Sequence, residues 1–292
     1  MRLKSLVPVL WTGVAVSATG QTLLDDVDAA RFTAAYHGEM GFDDGGGMTV
    51  ERYQLRALLS HPIRPVSDLV LLPVFTYEQT RLDFDRAPAG QPFGDEDLHL
   101  LSVKTSARYT PAGSPWEVSG SLTANFATDF EHLDGDDVTF DAIAQVGYRW
   151  REDLLVGFGV GVLEINGALE VWPGPVVEYT PSESFAAGLH GPNFQVIAVP
   201  NERWEFSLKG NLNGGEWNVE GAGGESRTID FNSYRVGLYA DRHLFGEVWL
   251  SAGAGVTLFN NIKYTETNGH RIYREDLDSG WFGQIALRVK TW

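Results

Sequence analysis

Three long stretches of this chain alternate apolar and polar residues with a period of two, and they hold it well past the length of an ordinary strand. Trp116, Val118, Gly120, Leu122, Ala124 and Phe126 share one face, opposite Glu117, Ser119, Ser121, Thr123 and Asn125. Val138, Phe140, Ala142, Ala144, Val146, Tyr148 and Trp150 stand opposite Thr139, Asp141, Gln145 and Arg149, with Ile143 the one exception. Near the C-terminus Val248, Leu250, Ala252, Ala254, Val256 and Leu258 alternate with Ser251, Gly253, Gly255 and Thr257. A globular strand runs about 5–6 residues, and a strand tilted across a bilayer needs roughly 9–11. These runs reach about 11 to 13 residues. Almost nothing after about residue 30 shows a 3.6-residue rhythm, so the fold class is all-β.

The ends of the apolar faces and the connections between them specify the kind of sheet. Trp116 and Phe126, Tyr148 and Trp150, Tyr77 and Tyr109 sit where aromatic girdles meet headgroups. Short turns fall at His61-Pro62 to Ser67, Thr110 to Pro115, Arg151 to Asp153, Thr180 to Glu183, Pro200 to Arg203 and Asp241 to Gly246. Longer acidic or Gly-rich connections lie between them at Asp43 to Gly47, Phe84 to Asp97, Asp129 to Asp137, Glu164 to Gly167, Asn211 to Arg227 and Asn260 to Ser279. Alternating short and long connections predict tight periplasmic turns and extended external loops. The expectation is a transmembrane up-and-down antiparallel β-barrel of about 14 strands, with both termini periplasmic. About 12 strands is the alternative, because Phe185 to Val199 reads either as one strand or as two short ones.

Arg2 and Lys4, an apolar run from Leu6 to Val16, and Val16-Ser17-Ala18 before polar Thr19-Gly20-Gln21 have the order of a cleavable signal peptide. The run is well under the roughly 20 residues of a spanning helix. The expected organisation is a signal peptide at 1–18, a periplasmic segment at 19–30 and an outer-membrane barrel at 31–292. No cysteine is present, so an exported fold holds together without disulfides. The formal charge of −17 repels phosphate backbones and excludes a nucleic-acid partner. Outer-membrane lipid, lipopolysaccharide and the barrel-assembly machinery are the expected partners, with oligomeric state open.

A lipid-facing apolar side would leave the polar faces around a lumen. Lys104, Arg108, Glu117, Asp141, Arg149, Lys209, Arg235 and Arg288 are the candidate lumen-lining residues, with Arg56 and Glu205 in the same phase. Basic residues outnumber acidic ones in this set, while Asp43-Asp44, Asp95-Glu96-Asp97, Asp134 with Asp136-Asp137, and Glu275-Asp276 with Asp278 place acid in the loops. Two readings stay open: a paired network that fills the barrel, and a water-filled pore whose basic wall favours small anions. A soluble periplasmic or secreted β-protein binding a ligand has the same alternation and is the alternative fold.

Enzyme signatures are missing: no Gly-x-Ser-x-Gly elbow, no His-Glu-x-x-His, no phosphate-binding glycine loop, no thiol. His37, His61, His99, His132, His190, His243 and His270 are scattered, mostly at expected turns or strand ends, so solvated surface roles are expected. No catalytic residue, cofactor or metal is predicted, although an outer-membrane lipid-modifying enzyme with a site beside His99 or His132 is a third possibility. Asp134-Gly135-Asp136-Asp137 lacks the spacing and closing glutamate of a calcium loop and reads as a solvated turn, a weak divalent-cation site being the other reading.

A 19-residue internal repeat relates Pro173, Thr180-Pro181-Ser182-Glu183, Phe185 and Leu189 to Pro192, Val199-Pro200-Asn201-Glu202, Trp204 and Leu208. The Trp172-Pro173-Gly174-Pro175 segment, the Pro200-Asn201-Glu202-Arg203-Trp204 turn, the Gly210 to Trp217 segment, the leader and the aromatic last residue resemble an uncharacterised bacterial outer-membrane β-barrel family, a domain of unknown function. The resemblance covers the mature chain. It implies a barrel in the outer membrane and supplies no catalytic residues. Trp292 departs from the usual ending, since Lys290 and Arg288 occupy its alternate positions while Ile285, Leu287 and Val289 lie on the other face. The function expected is a passive porin-like channel for small solutes or a structural envelope protein.

Overall fold

Alternating residues put one side of every strand in one environment, and in the computed structural model that sorting closes a ring. The structure describes residues 28–290 apart from 44, 86–93, 132, 134–136, 166–167, 221–225 and 267–270, and not the side chains of 163–165 and 168–169. The leader at 1–18, residues 221–224, His132, His270, Asp134 to Asp136 and Trp292 lie outside the described residues. The strands are β1 (Asp28–Gly41), β2 (Gly47–Leu58), β3 (Ile63–Val66), β4 (Leu69–Asp85), β5 (Glu96–Tyr109), β6 (Trp116–Thr128), β7 (Val138–Arg151) and β8 (Leu154–Ile165). They continue as β9 (Ala168–Ser182), β10 (Phe185–His190), β11 (Asn193–Asn201), β12 (Trp204–Glu220), β13 (Ser226–Phe245), β14 (Val248–Glu266), β15 (Arg271–Leu277) and β16 (Gly280–Lys290).

Neighbours pair antiparallel in chain order, and β16 pairs with β1 from Asp28↔Lys290 to His37↔Phe282, which closes the sheet. β3 is a stub on β4 that prolongs β2, and β15 prolongs β16 along the upper half of β14. The ring therefore has 14 strands. Phe185 to Val199 forms two short strands joined by a tight turn, His190↔Asn193 being the last pair.

The outward face is apolar through the middle of the strands. Phe32, Leu55, Val103, Leu122, Phe140, Phe158, Leu238 and Leu287 are all exposed. A contiguous exposed band of this kind is unstable in water and is what hydrocarbon requires. Aromatic rings edge it: Trp116 packs on Tyr148 at 5.1 Å, Tyr148 on Trp150 at 6.2 Å, and His99 stacks on Phe130 at 4.6 Å at the other rim. A closed barrel with such a band is the architecture of bacterial outer-membrane proteins, and that is where this chain resides. At the periplasmic end the turns are tied together by Asp68, whose carbonyl accepts from Thr110 N and whose carboxylate accepts from Ala112 N at 3.1 Å and Ser67 Oγ at 2.7 Å. Those donors hold the Asp68 carboxyl below its ordinary range.

Two segments expected to be loops are strands. Asn211 to Glu220 pairs with Ser226 to Arg235 without interruption, and Asn260 to Thr265 pairs with Arg271 to Leu277. The expected turn from Asp241 to Gly246 is also shorter, because β13 continues to Phe245. The misreading has a physical cause. Above the band the chemistry of the two faces exchanges: on β12 the outward residues pass from Leu208 and Leu212 to Glu216 and Asn218, and the inward ones from Lys209 and Asn213 to Trp217 and Val219. On β14 an extra residue enters opposite β13, so that Leu258 and Phe259 both point outward; Phe259 is 82% exposed with φ of 55°. This bulge turns Asn260, Ile262 and Tyr264 inward.

Two outcomes follow from the lipid-facing band. Refolded protein should run faster unheated than heated in dodecyl sulfate gels. Leu122→Lys, in the middle of the band, should lower folding stability in lipid vesicles by about 2–4 kcal/mol, read from urea unfolding; an unchanged midpoint would mean that this face does not meet hydrocarbon.

Candidate functional site: a capped polar lumen

Inward side chains divide the lumen into levels. At the periplasmic end, on the side of β12 to β16 and β1, Arg288 Nε donates to Asp28 at 2.9 Å and its Nη1 to Asp241, while Lys290 Nζ lies 2.6 Å from Glu205 and 4.5 Å from the centre of the Trp249 ring. Arg288 and Lys290 are almost fully buried. Arg31 and Arg288 stand directly opposite across the closing ladder, and Asp28 offsets their repulsion from 3.8 Å and 2.9 Å.

On the side of β5 to β9, Glu117 is shared: its two oxygens accept from Arg108 at 2.9 Å and Arg149 at 3.0 Å. Arg108 also reaches Glu178 at 3.4 Å, and His190 meets the same carboxylate oxygen at 3.4 Å. Asp141 accepts from Asn125 at 2.7 Å. Lys104, between Ser102 and Ser106 in the inward phase of β5, faces this half of the lumen, as does Ile143, the exception in its run, which is 38% exposed there. β8 turns Gly157, Gly159 and Gly161 inward, and the Gln145 side chain of β7 packs over Gly159.

A third group lies midway. Arg52 Nε is 3.1 Å from Glu78 and 3.2 Å from Thr80, and its Nη1 donates to Asn213 at 2.6 Å. Gln54 donates to the other Glu78 oxygen at 2.7 Å. Arg235 stacks over Phe282 at 5.4 Å and Lys209 over Tyr239 at 5.8 Å. These residues line a cavity of about 390 Å³ that extends from Arg31 to Leu212 and Gly214. Three buried donors in its wall, Arg52 Nη2, Arg235 Nε and Asn213 Nδ2, have no hydrogen-bond partner among the described residues, and neither has the acceptor Asp241 Oδ1.

Above this chamber the interior is apolar. Met40, Met48, Val50, Leu82, Leu98, Trp217, Ile229, Phe231 and Ile262 are 0–1% exposed and form one cluster with Phe42, Val219, Tyr264 and Leu277. The cluster fills the barrel because the ring narrows: β12 reaches across β7–β11 to pair with β6 at Asn218↔Thr128, and Asp129 N donates to Asn218 O at 3.2 Å. Asp129 Oδ2 then accepts from Glu220 N at 2.9 Å. His37, expected on a solvated strand end, is instead fully buried beneath this cap, 5.9 Å from the Phe282 ring, and neither ring nitrogen has a protein partner. Outside the cap the strands are polar, with Arg81–Asp83 at 3.3 Å and Lys263–Asp230 at 2.9 Å.

The eight residues singled out from the sequence fall in separate groups: Arg108, Glu117 and Arg149 in one network, Arg288 in another, Lys209 and Arg235 at the chamber, Lys104 and Asp141 between. Sequence reading missed Arg52, Glu78, Asn213, Asp28, Asp241, Lys290 and His37. Arg52 was legible, being two steps from Arg56 in the same phase. Asn213 was hidden by reading its segment as a loop. Among the described residues no three His, Asp or Glu side chains gather as a metal would require.

An all-β ring with an apolar belt, a charged lumen and a filled outer mouth defines an outer-membrane β-barrel. Residues 96–290 match the family model described as "Domain of unknown function (DUF6268)", and the chain belongs to that family. No curated protein matches it. Among solved structures it is similar to the COG4313 outer membrane channel from Pseudomonas putida F1, with TM-score 0.47 and 11% identity over 90% of this chain and 96% of that one. It is also similar to the NanC porin, with TM-score 0.39 and 8% identity over 90% and 100% of the two chains. LpxR from Salmonella typhimurium gives TM-score 0.36 and 10% identity over 88% and 99%.

Glu117→Gln would leave Arg108 and Arg149 without their shared charge. Because Arg149 keeps 33% of its side chain in contact with solvent, the expected loss is about 2 kcal/mol, below that of a fully buried pair. Urea unfolding of Glu117→Gln, Arg149→Gln and the double variant measures it; additive losses would show that the pair is not coupled.

Proposed function

We propose that the protein is a passive outer-membrane channel for small solutes, that its basic chamber favours anions, and that this conformer is its capped form. The observation that carries this reading is the set of three unpartnered donors around the chamber. An unpaired buried donor costs about 1–3 kcal/mol, so a lumen serving only as filler would pair Arg52 Nη2, Arg235 Nε and Asn213 Nδ2 internally. Donors held open on a polar cavity suit the oxygens or halide of a passing solute. Lys104, Arg108, Arg149, Lys209, Arg235 and Arg288 supply the positive wall, and Glu117 and Asp141 hold part of it in place. In this reading the barrel-assembly machinery inserts the chain and lipopolysaccharide meets the acidic outer strands.

Planar-bilayer recording tests the reading. The native protein should give small, infrequent currents whose reversal potential in a potassium chloride gradient favours chloride. Trp217→Ala with Phe231→Ala, which opens the cap, should raise the conductance several-fold at some cost in stability, and Arg235→Gln added to that pair should shift the reversal potential toward potassium. Silence from both the native and the uncapped protein, or a preference for potassium in the uncapped one, would overturn it.

A further inference from the structure

The barrel wall is incomplete on one side. β10 stops at His190, opposite Val176, so that among the described residues 168–174 of β9 pair with β8 alone. Across the gap β11 leaves β12 after Phe194↔Gly210, and among the described residues β12 meets no strand on that edge until Asn218↔Thr128. Two edges of about seven residues, roughly 25 Å of strand at most, therefore face each other above the β10–β11 turn. The β6–β12 junction closes the gap from above.

The residues at these edges are those a gap in hydrocarbon needs. Pro175 presents its carbonyl to Gly191 N at 2.8 Å, so its backbone points to the β10 side, and Pro173, two residues along, points the same way into the gap. Neither has an N–H to leave unpaired, which is how an edge strand survives without a partner in a medium free of water. On the facing edge Asn193 Oδ1 accepts from Leu212 N at 3.1 Å and Asn211 Nδ2 donates to Leu212 O at 2.8 Å, so side chains replace the missing strand. Outward side chains beside the lower part of the gap are Val171, Pro173, Pro175 and Leu212, all apolar, and Glu216 stands above them near the junction; the inward Trp172 is 48% exposed. Gly174 packs so closely on Gly191 that a Cβ would lie 2.5 Å from its Cα, seating the turn as a sill.

The chamber borders the β12 side of this opening. Its wall includes Leu212 and Gly214 of the free β12 edge together with Arg52, Arg235 and Asn213. Upward it is shut by the apolar cap, and the lateral gap lies along its β12 wall.

We infer that the gap is a lateral window through which a single-chain anionic amphiphile passes between the lumen and the outer leaflet, its head held by the chamber donors and its chain lying across Pro173, Pro175 and Leu212. The inference rests on the chamber of the proposed channel but not on axial conduction.

A hexadecanoate carrying a mid-chain diazirine, photolysed with the native barrel in phosphatidylcholine vesicles and mapped by peptide mass spectrometry, tests it. Adducts should concentrate on 171–175 and 211–215 rather than on the outward faces of β5 to β7. Arg235→Gln should reduce them about tenfold, the effect of one charge-assisted hydrogen bond. Should Arg235→Gln fail to fold, the same chain with a trimethylammonium head, applied to the native protein, should show no such concentration. Labelling spread evenly round the belt, or equal for the two heads, overturns the window. The bilayer currents separate the two readings: conduction with even labelling sinks the window alone, and window labelling without any conduction sinks the channel alone.

Discussion

Hydrocarbon offers no partner to a peptide group, and every large feature of this molecule follows from that. A sheet crossing the bilayer must close on itself, because an open edge would leave a row of N–H and C=O groups unsatisfied. Here β1 and β16 meet in a continuous antiparallel ladder. Where the wall does end, the chain removes the donors with Pro173 and Pro175 or covers them with Asn193 and Asn211. The chemistry of those four residues answers a backbone problem.

Closure creates a second difficulty, since the inward faces have no bilayer to dissolve in. Two solutions are used along one axis. In the lower half the chain buries charge, and the cost of desolvation is offset by sharing: Glu117 between two arginines, Asp28 and Asp241 both on Arg288. In the upper half it buries apolar side chains as a water-soluble domain does, with Trp217, Phe231 and Ile262 dry at the centre. The border between them is the layer of His37, Arg52, Arg235 and Asn213, where buried polar atoms stand without a partner among the described residues.

The barrel was legible because a period of two survives any change of solvent. Trp116 to Phe126 and Val138 to Trp150 read as lipid-facing strands and are so. What a fixed rule of apolar-out could not show was the exchange of chemistry between faces above the membrane, which made Asn211 to Glu220 and Asn260 to Thr265 resemble loops. Their inward Trp217, Val219, Ile262 and Tyr264 carried the signal in inverted form. The shortcut between β12 and β6 was not legible at all, since a parallel contact at Asn218↔Thr128 leaves no local pattern. The lumenal partners were half legible: phase gives the inward residues, but only the closed geometry shows that Arg52 meets Asn213 across the barrel.

The extra residue at Leu258 and Phe259 acts as a phase shifter in the genetic text as much as in space. Below it β14 keeps the parity of the wall; above it parity is reset so that Ile262 and Tyr264 reach the dry centre. Losing one codon there would send both to solvent and carry Asn261 and Lys263 inward, without altering the composition of the strand in any way that a hydropathy profile would register. Tolerance to length change along this hairpin is therefore dictated by odd and even counts, and an indel of two is a gentler event than an indel of one.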